Sequence, residues 1–336
     1  MRKKEIWVDY LRAFACILVF MGHLFMSLQE AGIMDTQLIS YGIEIIYRFH
    51  VYIFFFASGY LMQTSAQQYT DQSQFMKKKL IRSLDFLIVY VLFSAVTYGI
   101  KIMLSGDVNS PIGRTFPEIL LKYPINQMWY LYAIFLITLC APVPRSERGL
   151  KLVLFASIAL KVIMCIPDLS KMVPMPLDYL FDDLIWYTMG MLWMHKPIAL
   201  NIQSTALFTV IFLTVSTAAF FLQIDNDFLD ALLTANGLVV SANWSQLLTR
   251  NQTKMPCAWM IISKYMLQIY LLHTITAAGI RIILMRAGIT NFWLHLPIGI
   301  IFSFVPPVVC GAIAEHIPLL NIIFYPSKTI KELFRL

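Results

Sequence analysis

What most limits the folds open to this chain is the recurrence of apolar runs about as long as a bilayer is thick. A hydrocarbon core needs roughly 17 to 25 predominantly apolar residues in helical form. Ten such runs follow one another, near residues 9–28, 43–63, 84–104, 127–144, 149–166, 178–195, 205–223, 228–247, 257–278 and 294–314. Lipid cannot satisfy backbone N–H and C=O groups, so each run is expected to be a helix, and the fold class is an all-α polytopic membrane bundle. Composition agrees, with 59% hydrophobic and 13% charged residues, far from an ordinary soluble domain. The eighth run, DALLTANGLVVSANWSQLL, is the least apolar. Its Asn236, Gly237 and Asn243 leave a re-entrant or interfacial segment as the alternative there.

Cytoplasmic connections collect Lys and Arg, which gives the runs an orientation. One set of connections holds sixteen: Arg2, Lys3, Lys4, Lys77, Lys78, Lys79, Arg82, Arg145, Arg148, Lys151, Lys196, Arg250, Lys254, Lys328, Lys331 and Arg335. The opposite set holds five, Arg114, Lys122, Lys171, Arg281 and Arg286, and one of those loops is acidic, with Asp225, Asp227 and Asp230. Ten helices with both termini in the cytoplasm are therefore expected. The net charge of +7 then belongs to the face that meets anionic headgroups, and it does not call for nucleic acid as a partner. No small-residue cleavage site follows the first run, so the N-terminus is expected to be retained. The five cysteines lie in apolar segments without metal-ligand spacing, so neither disulfides nor a metal site is expected. Residues 1–336 read as one integral membrane domain, multi-pass in the inner (plasma) membrane, with the lipid bilayer as its surroundings.

Against that background the ionisable residues inside the runs stand out. A charge near mid-bilayer costs about 2.5 to 3.5 kcal/mol on insertion scales and marks a functional candidate by default. The first run, LRAFACILVFMGHLF, carries Arg12 and His23. Eleven positions on a helix are about three turns, which returns His23 to within roughly 20° of Arg12 and about 16 Å further along the axis. Both face one side, Arg12 near the cytoplasmic surface and His23 toward the outer half. A plainer reading has Arg12 snorkelling to lipid phosphates and His23 bonded to a neighbouring helix. The second run adds Arg48 and His50 at its outer end, and the ninth adds His273 in SKYMLQIYLLHTIT. Three histidines and two arginines inside spans exceed what packing requires. No Gly-rich phosphate loop, H-E-x-x-H or G-x-S-x-G is present, so chemistry here rests on histidine as base or acyl acceptor and arginine as anion clamp.

These residues resemble the acyltransferase-3 family of membrane proteins, which move acyl groups onto cell-surface carbohydrates, and the resemblance runs over essentially the whole chain. It is carried by Asp9, Tyr10, Leu11 and Arg12 with His23 after ten intervening residues. It is carried also by the segment of Phe49, His50, Phe54, Phe55, Phe56, Ser58, Gly59 and Tyr60, by W-Y-L-Y from Trp129 to Tyr132, and by I-Y-L-L-H from Ile269 to His273. The family's basic loop after the second span commonly ends in a proline, whereas here Lys77, Lys78, Lys79 and Arg82 lead into Ser83, Leu84 and Asp85. Larger members add an esterase-like domain, so the likeness is to the stand-alone form.

The resemblance implies transfer of an acyl group, acetyl or a longer one such as succinyl, from acyl-CoA to a hydroxyl of a cell-surface carbohydrate or its lipid-linked precursor, without a metal. Acetyl-CoA is the expected donor, its phosphates held by Arg12, Lys77, Lys78, Lys79 and Arg82. His23 is the expected general base or acyl carrier, with His50 as the second catalytic candidate. Arg48, Trp129, Tyr130 and His273 are assigned to acceptor binding or support, with interfacial anchoring as the alternative for the two aromatics. The competing class is a transporter or flippase for a glycan precursor, in which the same charges line a path. Discontinuous helices and an inverted repeat would mark it.

Overall fold

The computed structural model describes residues 5–106, 108–109 and 112–334; Arg2, Lys3, Lys4 and Arg335, which entered the charge count, lie outside them. Among the described residues every regular element is helical, and each expected span falls on helix, the second and the ninth on two helices each. The first is α1 (Ile6–Glu30); the second is α2 (Gln37–Tyr47) followed after a turn by α3 (Tyr52–Ala66); the third is α4 (Gln72–Met103). A short α5 (Phe116–Leu121), closed by a Thr115–Glu118 capping box, precedes α6 (Met128–Cys140), α7 (Glu147–Met164) and the single turn α8 (Pro167–Ser170). Then come α9 (Leu177–His195), α10 (Ile202–Phe221) and α11 (Asp227–Thr249), the pair α12 (Cys257–Lys264) and α13 (Met266–Arg286), α14 (Phe292–His316), α15 (Pro318–Phe324) and α16 (Pro326–Phe334).

Six of these segments are long and apolar enough to cross a membrane among the described residues: α1, α2 with α3, α4, α10, α13 and α14. The other four expected spans are helices of a different character. The 13 residues of α6 rise about 20 Å, short of a roughly 30 Å core, and α7, α9 and α11 carry charged side chains. The eighth run, whose polar residues suggested a re-entrant segment, forms one continuous helix of 23 residues, about 34 Å long. Its Asn243 earns its place by accepting from the Leu200 N–H at 2.9 Å and donating to the Val239 carbonyl at 2.9 Å.

The chain folds into two compact units. The first takes residues up to Ala15, Glu44–Leu80 and Leu136–Trp259. Its centre is the packing of α3 on α9, whose backbones approach so closely that a Cβ on Gly59 would overlap the Tyr187 carbonyl and one on Gly190 would overlap the Phe56 carbonyl. Small residues are the usual means of such contact between membrane helices. Phe56 and Trp193 meet edge to face at 5.4 Å beside that contact. The interruption between α2 and α3, at residues 48–51, is held from inside the unit. The Arg48 carbonyl accepts from Thr234 Oγ1 at 2.6 Å, its guanidinium reaches Glu44 and Asp230, and Phe49 lies over Gly237 and Phe212.

The second unit takes Cys16–Ile43, Ile81–Phe135 and Met260 onward. In it α13 packs along α14 and α14 along α15, with Gly299 and Gly311 leaving room for Leu24 and Tyr265. Tyr90 stacks on Tyr132 at 5.1 Å and donates to the Leu120 carbonyl at 3.0 Å. Asp85, which stands in the stretch where the family commonly has proline, accepts from the Ser327 N–H and hydroxyl at 3.0 and 2.6 Å and so fixes the start of α16.

Candidate active site

The second unit encloses a polar cavity of about 190 Å³. Its walls are the C-terminal half of α1, the end of α4, the segment before α6, and α13 with α14. The segment before α6 is shaped by Asn126, whose left-handed backbone (φ 46°) is one that asparagine adopts more readily than most residues. Next to it Gln127 donates to Thr274 Oγ1 at 2.8 Å and its carbonyl accepts from Tyr270, which ties the segment to α13.

Two imidazoles face each other in this unit: His23 and His273 have ring centroids 5.3 Å apart, tilted by 45°, and both line the cavity. His273 is 1% exposed, and its Nδ1 lies 2.8 Å from the Ile269 carbonyl one turn back in α13. A carbonyl can only accept, so that bond assigns the proton to Nδ1 and leaves a lone pair on Nε2. Nε2 is buried and has no hydrogen-bond partner among the described residues. His23 is half-buried and thus the imidazole of the pair that a substrate in the cavity can reach.

Cationic groups flank the histidines. Arg281 is 5% exposed and donates through Nη1 to the Ser27 carbonyl at 2.8 Å and the Ser27 hydroxyl at 2.6 Å. Lys101 donates to Asn126 Oδ1 at 3.1 Å. The acidic residue of the wall is Glu30, which accepts from Asn109 at 3.3 Å. The sequence placed Arg281 in an outer connection, and that is corrected here. The ninth span is shifted along the chain, α12 stopping at Lys264 and α13 running on to Arg286, so Arg281 stands inside a helix and against the cavity. The signal was present, since ITAAGIRIILM is apolar on both sides of the arginine. Lys101 and Ser303, whose buried hydroxyl also lines the cavity without a partner among the described residues, were likewise not singled out.

The remaining candidates have surroundings of their own. In the first unit Arg12 forms a long ion pair with Asp9 at 3.9 Å, one turn back in α1. Arg48 is neutralised by Glu44 and Asp230. His50 is 4% exposed, with Nδ1 2.7 Å from the Ile46 carbonyl and Tyr47 edge-on at 4.8 Å. Lys78 donates to Ser65 Oγ at 3.0 Å and sits 5.1 Å from the Tyr69 ring centre. Lys79 is buried and donates to the Ala141 carbonyl at 2.6 Å, while Lys77 is exposed beside a small apolar hollow. In the second unit Arg82 is half-buried, Trp129 is half-buried, and Tyr130 is buried with its ring edge-on to Tyr270 at 5.7 Å. The first unit also contains an ion pair that sequence reasoning passed over, Lys161 with Asp182 at 2.6 Å, linking α7 to α9.

A multi-pass helical membrane protein with paired histidines at a polar cavity is the class that fold and site define. Residues 5–312 match the acyltransferase-3 family model, described as an acyltransferase domain. The chain belongs to that family and is a membrane acyltransferase, acting on carbohydrates as the family does, which disposes of the transporter reading despite the turn within the second span. No curated protein and no solved structure matches the chain.

Proposed function

We propose that this enzyme carries an acetyl group from acetyl-CoA to a hydroxyl of a cell-surface carbohydrate, or of its lipid-linked precursor, in the plasma membrane. The observation that carries this reading is the His23–His273 pair on the wall of a polar cavity inside the membrane domain. In the step, the sugar hydroxyl gives its proton to the reachable nitrogen of His23 as its oxygen attacks the thioester carbon. The C–O bond forms, the C–S bond breaks, and the coenzyme A thiolate leaves and takes up the proton. General-base assistance of this kind contributes about 10²- to 10⁴-fold. His273, its tautomer set by the Ile269 carbonyl, packs its ring beside His23 at 5.3 Å and lines the same cavity.

The donor is assigned to Arg12, Lys77, Lys78, Lys79 and Arg82, whose charges suit a nucleotide carrying several phosphates. Within the first unit, the ties of Lys78 to Ser65 and of Lys79 to Ala141 leave most of that work to Arg12 and Lys77. Arg48, Trp129 and Tyr130 serve as support, and His50 remains a catalytic candidate to be judged by substitution. If α1 enters from the cytoplasm, as the basic connections suggest, the cavity at its C-terminal end lies in the outer half, on the side of a surface glycan.

Acetyl-labelled acetyl-CoA supplied to membranes containing the protein tests this directly. Label should appear as base-labile ester in a carbohydrate fraction, and should not do so when the protein is absent. Equal label in every glycan fraction with and without the protein would overturn the assignment.

A further inference from the structure

The charge in the cavity says something about the acceptor. Arg281 hydrogen-bonds through Nη1 alone among the described residues; its Nε is buried without a partner, and Nη2 makes no hydrogen bond there. Ser27 is neutral, and the carboxylate acting on the guanidinium, Glu30, lies beyond ion-pair distance. Lys101, which lines the same cavity, adds a second positive charge under the influence of the same Glu30. Among the described residues of the wall, Arg281 and Lys101 are the cations and Glu30 the carboxylate.

A buried cation is ordinarily paired, because leaving it uncompensated is costly. Here Nη1 is fixed by Ser27, and the Nε–Nη2 edge is left without a hydrogen bond among the described residues. That edge is a planar fork whose two N–H groups match the two oxygens of a carboxylate. Its position is also set relative to the base. Ser27 follows His23 by one turn of α1, about 6 Å along the axis, which is close to the span of one pyranose ring. The volume of about 190 Å³ leaves room for a single sugar ring beside His23.

We propose that the acceptor residue is an acidic sugar, a pyranose whose carboxylate is gripped by Arg281 with Lys101 nearby while a hydroxyl of the same ring lies against His23. Ser303 is placed to bond another hydroxyl of that ring. This rests on the acyltransferase reading above and narrows its acceptor to a uronate-type residue.

The test uses the full-length protein in detergent and pairs of methyl pyranosides of gluco, galacto and manno configuration, each pair differing only in CH2OH or carboxylate at C6. Binding is read as protection against thermal unfolding and titrated to a Kd. For at least one pair the uronide should bind about tenfold or more tighter than its neutral partner. Arg281→Gln should erase that preference and Arg281→Lys should keep part of it, a point charge replacing the fork. Equal binding within every pair, no uronide binding by the wild type, or an unchanged preference in Arg281→Gln would each overturn the proposal; the first two stand without any variant. Coenzyme A release from acetyl-CoA is followed in the same samples. Selective uronide binding with no release would keep the recognition and defeat acyl transfer, whereas release that is equal with both members of each pair would do the reverse.

Discussion

The two units hold their buried arginines in opposite ways. In the first, Arg48 lies between Glu44 and Asp230, and Lys161 is closed by Asp182, so both of these cations are matched by carboxylates and bridge helices, whereas the buried Lys79 donates to the Ala141 carbonyl. In the second, Arg281 donates to a neutral serine, and His273, whose ring lies 5.3 Å from that of His23, keeps an Nε2 without a partner among the described residues. An ionisable residue in a membrane helix is costly in either setting. When the cost is offset by another side chain the residue serves the fold; when part of its bonding capacity is left over at a cavity, a substrate is the natural partner. Burial alone does not separate Arg48, 8% exposed, from Arg281, 5% exposed; what occupies the guanidinium does.

That contrast is open to attack from both sides, and the largest effect is expected in the cavity. His23→Ala should lower acyl transfer by about 10²- to 10⁴-fold while the unfolding midpoint in detergent stays near the wild-type value. A large loss of stability with activity retained would invert the comparison. Arg48→Met should do the opposite, lowering stability by about 1.5–3 kcal/mol as charge-assisted bonds are lost and leaving kcat/KM of the folded fraction close to wild type. Gly190→Ala should cost about 1–3 kcal/mol, since a methyl group there has no room against the Phe56 carbonyl and α3 must move. The smallest effect is a difference of differences. Lys161→Met and Asp182→Leu should each destabilise, and the double variant should lose less than their sum, because removing both members of an ion pair leaves no stranded charge. Additive losses in denaturant melts would show that the pair does not bridge α7 and α9.

The helices were legible because bilayer thickness and backbone hydrogen bonding act on every stretch alike, and a run such as 205–223 meets both demands without help from its neighbours. The eighth run was harder. Gly237 and Asn243 lower its hydropathy, yet Gly237 admits Phe49 and Asn243 caps the backbone at Leu200, purposes that depend on segments far away in the chain. The same distance hid the site. His23 and His273 each stood out as ionisable residues within apolar runs, but nothing in their separate patterns states that their rings meet. Arg281 was missed for a local reason: the span was placed too early, across the break at Tyr265, so a residue inside α13 was counted with a loop. The rule that singled out Arg12, applied to the apolar stretch on both sides of Arg281, finds it.

We propose that His23, which lines the second unit's cavity beside His273, is the base for acyl transfer. The most direct measurement is coenzyme A release in a single turnover by purified wild-type, His23→Ala and His23→Gln protein, each first shown to bind acetyl-CoA with the same Kd. The account predicts acceptor-dependent release by the wild type and a loss of at least about 10²-fold in both variants. Full release by His23→Ala, with donor binding unchanged, would contradict it.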